Sequence, residues 1–366
     1  MPSLRPRFWN ELNAIVKKHN DYKSDGSTAS EGTKAKRREV IDAGFVYLAS
    51  AGCRLHSPTQ FKEKHMGKLV KYWEKSNNKD IQTKISHFRV FAVWIRKPGM
   101  IKESKKYAIN PDSVKRRYIT NIDKTWTGNG VDVVEMVRKV TERDGRVGIL
   151  AELGVAFGLR LKEALLFHPH ADIIERADED SPDVVKTYLH VRKGKGARKR
   201  DIEFEPQGPL RDYQVDLVAR AKAMADRPGA SMIPNGRSST QFRRRSYYIF
   251  DKAGMTLIKD GITFHGTRHE YAVAYYERRT GVAAPLKGNP EKPDPSLDQK
   301  TREDLAENLG HSRITILGCY IGSRHRPVPQ TGGPEAAKIG EAEGSKDVSD
   351  AAGAKIDPKK PDSKGE

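Results

Sequence analysis

The sequence predicts a mainly α protein of two domains, with a small β-sheet or hairpin in the second and a disordered C-terminal tail. Three observations predict this. Apolar residues recur at helical spacing through most of residues 8–310. The period changes once to that of strands, around residues 184–206. Composition shifts twice, into a polar, turn-rich stretch at 101–129 and, beyond Arg326, into Gly, Ala, Pro, Lys, Asp and Ser. The expected boundaries are a helical domain at 1–112, a linker at 113–130, a mostly helical domain at 131–326 and a tail at 327–366.

Four helices account for the first domain. FWNELNAIVKKH carries apolar positions at helical spacing, and EGTKAKRREVIDAGFVYLASAG has a basic leading half and an apolar trailing half ended by Gly52. SPTQFKEKHMGKLVKYWEKS opens on Ser57-Pro58, a good cap and first-turn pair. KDIQTKISHFRVFAVWIRKPG stops at Lys97-Pro98-Gly99. Helices resume with VDVVEMVRKV, RVGILAELGVAFG and LKEALLF, of which the second is nearly all apolar and is expected to be buried. VVKTYLHVRKG and RKRDIEFEP read as two strands around the turn GKGA. PLRDYQVDLVARAKAMA, SSTQFRRRSYYIFDKAG and HGTRHEYAVAYYERRTG return to helix. VAAPLKGNPEKPDPSLDQK reads as a mobile Pro-rich loop, and TREDLAENLG as a short helix with a capping box from Thr301 to Asp304. No internal repeat is evident.

The 366 residues carry a net charge of +19. Thr331 to Glu366 hold six Lys against eight Asp or Glu, so the positive excess sits on residues 1–330. Such an excess draws a protein to polyanions. Cys53 and Cys319 are the only cysteines, and no CxxC pair exists, which argues against a zinc knuckle or a disulfide framework and for reduced thiols. The first twenty residues hold no apolar run of signal-peptide length, and no stretch approaches the length that spans a bilayer. The expectation is a soluble, cytoplasmic protein with no membrane association.

Four short motifs stand out in the second half. In GLRLKEAL, Arg160 and Glu163 lie three apart at a helix start and share a face. In RKGKGARKR, glycines flank Lys195 at a hairpin tip, where a flexible ammonium can approach a phosphate oxygen. In TFHGTRHEYA, His265 and Arg268 are again three apart. In LGHSRITILGCYIGS, His311 follows a helix stop, and Tyr320 comes nine residues later. Taken singly these read as a surface ion pair, a basic loop and a packed aromatic. His265 and His269, four apart, invite a metal site, but the Glu of HExxH and a third ligand are both missing. His168 and His170 read as turn residues.

The order of these motifs resembles that of the tyrosine recombinase (phage integrase) family. The resemblance covers residues from about 145 to 324, and the helical N-terminal part more loosely. It implies a core-binding domain of SAM-like helical type followed by a catalytic domain, together clamping double-stranded DNA. It implies Tyr320 as nucleophile, Arg160 and Arg268 as binders of the phosphate oxygens, His265 as general base, Lys195 as general acid, His311 as a phosphate-oxygen donor and Glu163 as an orienting group. It implies site-specific cleavage and rejoining through a 3′-phosphotyrosine, serving integration or excision of a mobile element, with no cofactor and no metal. It further implies a homotetramer on DNA, self-associating through a C-terminal segment, with accessory DNA-bending or directionality proteins. Type IB topoisomerase chemistry and a catalytically inactive DNA-binding regulator remain the alternatives. RNA binding gains little, since no stacking motif of the RRM kind occurs. Thr267 stands where the family commonly has Leu, and Glu203 where it commonly has Pro.

Overall fold

A computed structural model describes residues 4–323 apart from 24–25, 79, 116–118, 121, 179–180, 193, 195–197, 258–260 and 289–290. Lys195 and the expected tail at 327–366 therefore lie outside the described residues. The chain divides into two compact units, Met1–Arg117 and Tyr118–Glu366. No helix among the described residues is long and apolar enough to cross a membrane.

The first unit holds α1 (Pro6–His19), α2 (Glu31–Ser50), α3 (Glu63–Lys75) and α4 (Ile81–Trp94). Each turns one apolar stripe inward, and Phe8, Phe45, Phe61, Phe88 and Phe91 meet in one core. Their rings pack edge-on or stacked, with centroids 5.0–6.2 Å apart. Ser30 caps α2 by accepting from the Thr33 N–H.

In the second unit α5 (Val133–Arg143) leads into α6 (Gly145–Phe157). Asp144 caps α6, accepting from the N–H groups of Arg146 and Val147. As expected from its composition, α6 is buried nearly all round. Its polar Glu152 is satisfied by Tyr213 at 2.9 Å and Arg220 at 2.6 and 2.8 Å. Then follow α7 (Leu161–Leu165), β1 (Ile173–Ala177), β2 (Val185–Val191), β3 (Arg200–Glu203), α8 (Pro209–Met224), α9 (Ser239–Lys252), α10 (Phe264–Thr280), α11 (Pro295–Asn308) and the one-turn α12 (Gly318–Ile321). The sheet is antiparallel in the order β1-β2-β3, with Ile173 opposite Leu189 and Leu189 opposite Ile202. The hairpin of β2 and β3 is the expected one. The added strand β1 is half-polar and was hidden among turn residues.

Three expectations change. The stretch at 113–130 is not a free linker throughout, because Trp126 is fully enclosed in the core of the second unit. The supposed loop at 282–300 contributes a 3₁₀ turn at Pro285–Lys287 and the first turn of α11. Thr301 is consequently buried inside α11, and Asp294 is the cap, accepting from the N–H groups of Ser296 and Leu297. Asp-Pro at 294–295 is itself a start signal, which the density of prolines around it obscures.

Candidate active site

α6 ends at Gly158, whose φ of +62° is a left-handed helix stop. A Cβ there would lie 2.6 Å from the Tyr271 ring, so glycine is required twice over. Two residues later Arg160 stands at the N-cap position of α7, and the Glu163 carboxylate reaches back to accept from the Arg160 N–H at 3.0 Å. This backward hydrogen bond explains the spacing of the pair.

Glu163 is almost fully buried and gathers three guanidinium groups. Arg160 Nη1 donates to it at 2.7 Å. Arg200 donates through Nη2 at 2.7 Å and Nη1 at 3.2 Å. Arg268 Nη1 stands 3.9 Å away. Burial pushes the Glu163 carboxyl upward, but the Arg200 hydrogen bonds and the charges of Arg200, Arg160 and Arg268 outweigh it and hold the group at about 2. One carboxylate cannot neutralise three guanidiniums, so the cluster keeps an excess positive charge beside buried structure.

Arg268, on α10, is wholly enclosed. Nη1 donates to Gly158 O at 2.6 Å, and Nη2 donates to Leu309 O. Burial pulls this guanidinium down to about 10, so it stays charged at neutral pH. Arg160 Nη2 approaches the same Leu309 carbonyl at 3.4 Å. The Leu-Gly-His turn thus lies against both arginines.

Tyr320, on α12, is buried with its hydroxyl 3.3 Å from Arg268 Nε and 3.3 Å from His311 Nε2. Its ring meets His265 edge-on, at a centroid distance of 6.1 Å. The structure therefore brings together Arg160, Glu163, His265, Arg268, His311 and Tyr320, from α7, α10, the turn after α11, and α12. The flanks of the hairpin tip carry Gly194 and Arg198, joined by Gly194 N–H donating to Arg198 O at 2.8 Å.

Two further residues belong to the site. Arg200 is the first, and its Nε also donates to Asn308 O at 2.7 Å, tying β3 to the end of α11. The signal for it was available: Arg200, Ile202 and Phe204 alternate on the buried face of the strand. His269 is the second, tilted against Tyr320 with centroids 4.7 Å apart. Burial, then the charges of His265, Lys124 and Arg268, hold its imidazole well below the ordinary range, so it is neutral. Its Nδ1 is buried without a hydrogen-bond partner. Among the described residues, no group of three or more His, Cys, Asp or Glu could hold a metal ion.

No family model matches the chain, and no curated protein matches it in sequence. The fold is that of the tyrosine recombinases. In particular it is similar to lambda integrase. A lambda integrase (75–356) dimer bound to a COC′ core site aligns at TM-score 0.54 and 16% identity, covering 88% of this chain and 98% of that one. A lambda integrase tetramer bound to a Holliday junction aligns at 0.53 and 14%, covering 89% and 80%.

Proposed function

We propose that the chain is a site-specific DNA recombinase or integrase that cleaves and rejoins strands through a 3′-phosphotyrosine on Tyr320. The observation that carries this is the Tyr320 hydroxyl, held 3.3 Å from both Arg268 and His311 beside a buried excess of positive charge. A phosphodiester gains negative charge on its non-bridging oxygens as it is attacked, and preformed guanidinium donors stabilise that charge. Arg160 and Arg268 fill this role, with Glu163 and Arg200 fixing where they stand.

Tyr320 Oη attacks phosphorus while the bond to the 5′-oxygen breaks. A phenol titrates near 10, so its proton needs an acceptor at neutral pH. His265 is the assigned base, and His311 donates to a phosphate oxygen once Tyr320 has moved onto phosphorus. Lys195 supplies the proton to the leaving 5′-oxygen. The new phosphotyrosine conserves the energy of the broken bond, so rejoining needs no nucleotide cofactor, and the arginines and histidines stabilise the charge without calling for a metal.

The substrate is double-stranded DNA, with residues 1–112 as the core-binding domain and 131–326, onto which the stretch around Trp126 packs, as the catalytic domain. The lambda integrase structures support a working assembly on DNA, here a homotetramer joined through a C-terminal segment and aided by accessory DNA-bending or directionality proteins. The setting is the prokaryotic cytoplasm, at the nucleoid, in integration or excision of a mobile element.

The test is covalent trapping. The full chain is incubated with nicked suicide duplexes drawn from the DNA flanking its gene, beside Tyr320→Phe. A protease-sensitive, shifted DNA band that vanishes in the variant is expected. Tight binding with no band from any substrate would instead favour the inactive regulator. Relaxation of supercoils without joining of paired sites would favour the type IB topoisomerase.

A further inference from the structure

The helix that carries His265 and Arg268 is braced from outside. Trp126 is fully buried, and its Nε1–H donates to Thr263 O at 2.9 Å, at the mouth of α10. The indole occupies the space that a side chain at position 266 would need. A Cβ on Gly266 would lie 2.7 and 2.8 Å from Trp126 Cδ1 and Nε1, and 2.9 Å from Lys124 O. One turn on, Thr127 donates to Glu270 from its hydroxyl at 2.8 Å and from its N–H at 3.2 Å.

The bracing segment is itself stiff. Asp123 Oδ1 accepts from the Thr125 N–H and hydroxyl at 2.8 and 2.7 Å. Thr125 Oγ1 accepts from the Gly128 N–H at 2.8 Å. Asn129 Nδ2 donates to Asp123 O and Thr125 O at 3.1 and 2.7 Å. Just upstream, the Thr120 N–H donates to Gly318 O at 2.9 Å, at the head of the turn bearing Tyr320. One stretch of chain is thus bonded both to α10 and to α12.

We infer that Trp126 is a positioning residue for the strand-cleaving site, its indole setting the rotation and height of α10 and so the alignment of His265 and Arg268 with Tyr320. The inference rests on the proposed function of that site. Gly266 and Glu270, four apart, mark the braced face of α10, while His265, Arg268 and His269 project from the adjoining face. At a helix radius with side chains of about 5–6 Å, a rotation of about 10° moves a side-chain tip roughly 1 Å. A misplacement of that size costs about 100-fold in rate where reacting groups must be aligned. Trp126 is fully buried and offers no surface to a ligand, so its effect falls on rate and not on affinity.

Two variants of the full chain test this. Trp126→Phe keeps an aromatic ring in the core and loses the donor to Thr263. Gly266→Ala keeps the tryptophan and forces it off the helix. For each, the rate of the Tyr320–DNA adduct at saturating suicide duplex is measured across pH, beside DNA affinity and melting temperature. The expected result is an affinity within about twofold of wild type and a cleavage rate lower by roughly 10- to 100-fold. Wild-type rates in both folded variants overturn the inference, as does loss of folding in both, which would make the contact merely structural. If either variant alone folds, its rate decides. If the wild type forms no Tyr320-linked adduct, the reading of the site falls first and this inference with it. If the wild type reacts and the variants equal it, only the inference falls.

Discussion

Arg200 holds Glu163 through two hydrogen bonds, of 2.7 and 3.2 Å, across 37 residues of chain. Both side chains are nearly inaccessible, so each is the other's main compensation for leaving water. The contact fastens the hairpin to the turn that presents Arg160.

Removing one partner of a buried ion pair is costlier than removing both. Arg200→Ala is expected to destabilise the chain by roughly 3–5 kcal/mol, read by urea denaturation. Replacing both residues with apolar ones of similar volume should recover part of that loss while leaving cleavage impaired. A loss below about 1 kcal/mol, the range of an exposed pair, would show that the pair is not a structural fastening.

The same pair makes stability depend on acid. The Glu163 carboxyl is held at about 2 in the folded chain, against 4.5 ordinarily. Its folded pKa is depressed, so its stabilisation is present above pH 4.5 and is lost as pH falls toward 2. The shift corresponds to about 3 kcal/mol. Equilibrium denaturation followed from pH 5 to pH 2 should show a decline that is shallower in Glu163→Gln. Equal slopes in the two proteins would rule out this source of acid sensitivity.

Arg268→Lys keeps a positive charge and loses the planar fork that spans Gly158, Leu309 and Tyr320. Adduct formation is expected to fall by roughly 10²–10³-fold, with DNA affinity falling less than tenfold. Gel-based single-turnover kinetics and fluorescence anisotropy separate the two. A lysine variant that cuts at the wild-type rate would contradict the assigned role.

Gly158→Ala places a methyl group 2.6 Å from the Tyr271 ring at a left-handed backbone position. The expected cost is roughly 1–3 kcal/mol, seen as a lower melting temperature. Because Gly158 O also receives Arg268, the variant should lose cleavage out of proportion to its stability. Unchanged melting would mean that the turn has room the structure does not give it.

The helices and the hairpin were legible because their periods are strong, and α6 announced its burial by being apolar on every side. The residues that meet around Tyr320 stood in the sequence as short motifs, and the fold brings His265, Arg268 and His311 to it. Trp126 was not legible, because a turn-rich segment gives no sign that it will fold back onto a helix more than a hundred residues away. Thr301 misled for a related reason. A Thr-x-x-Asp pattern carries the same local signal inside a helix as at its start, and only the Asp294 cap distinguishes them. His269 was set aside once a metal seemed excluded. Its contact with Tyr320 joins elements that only the tertiary fold brings together.

The surplus charge around Glu163 has a consequence for how the chain endures. Arg160, Arg200 and Arg268 gather on the single carboxylate of Glu163, so an oxyanion seated there would bind the native state and not the unfolded one. Inorganic sulfate or phosphate should therefore raise the melting temperature of the free chain. On this view the chain is most robust when an oxyanion is seated among these guanidiniums.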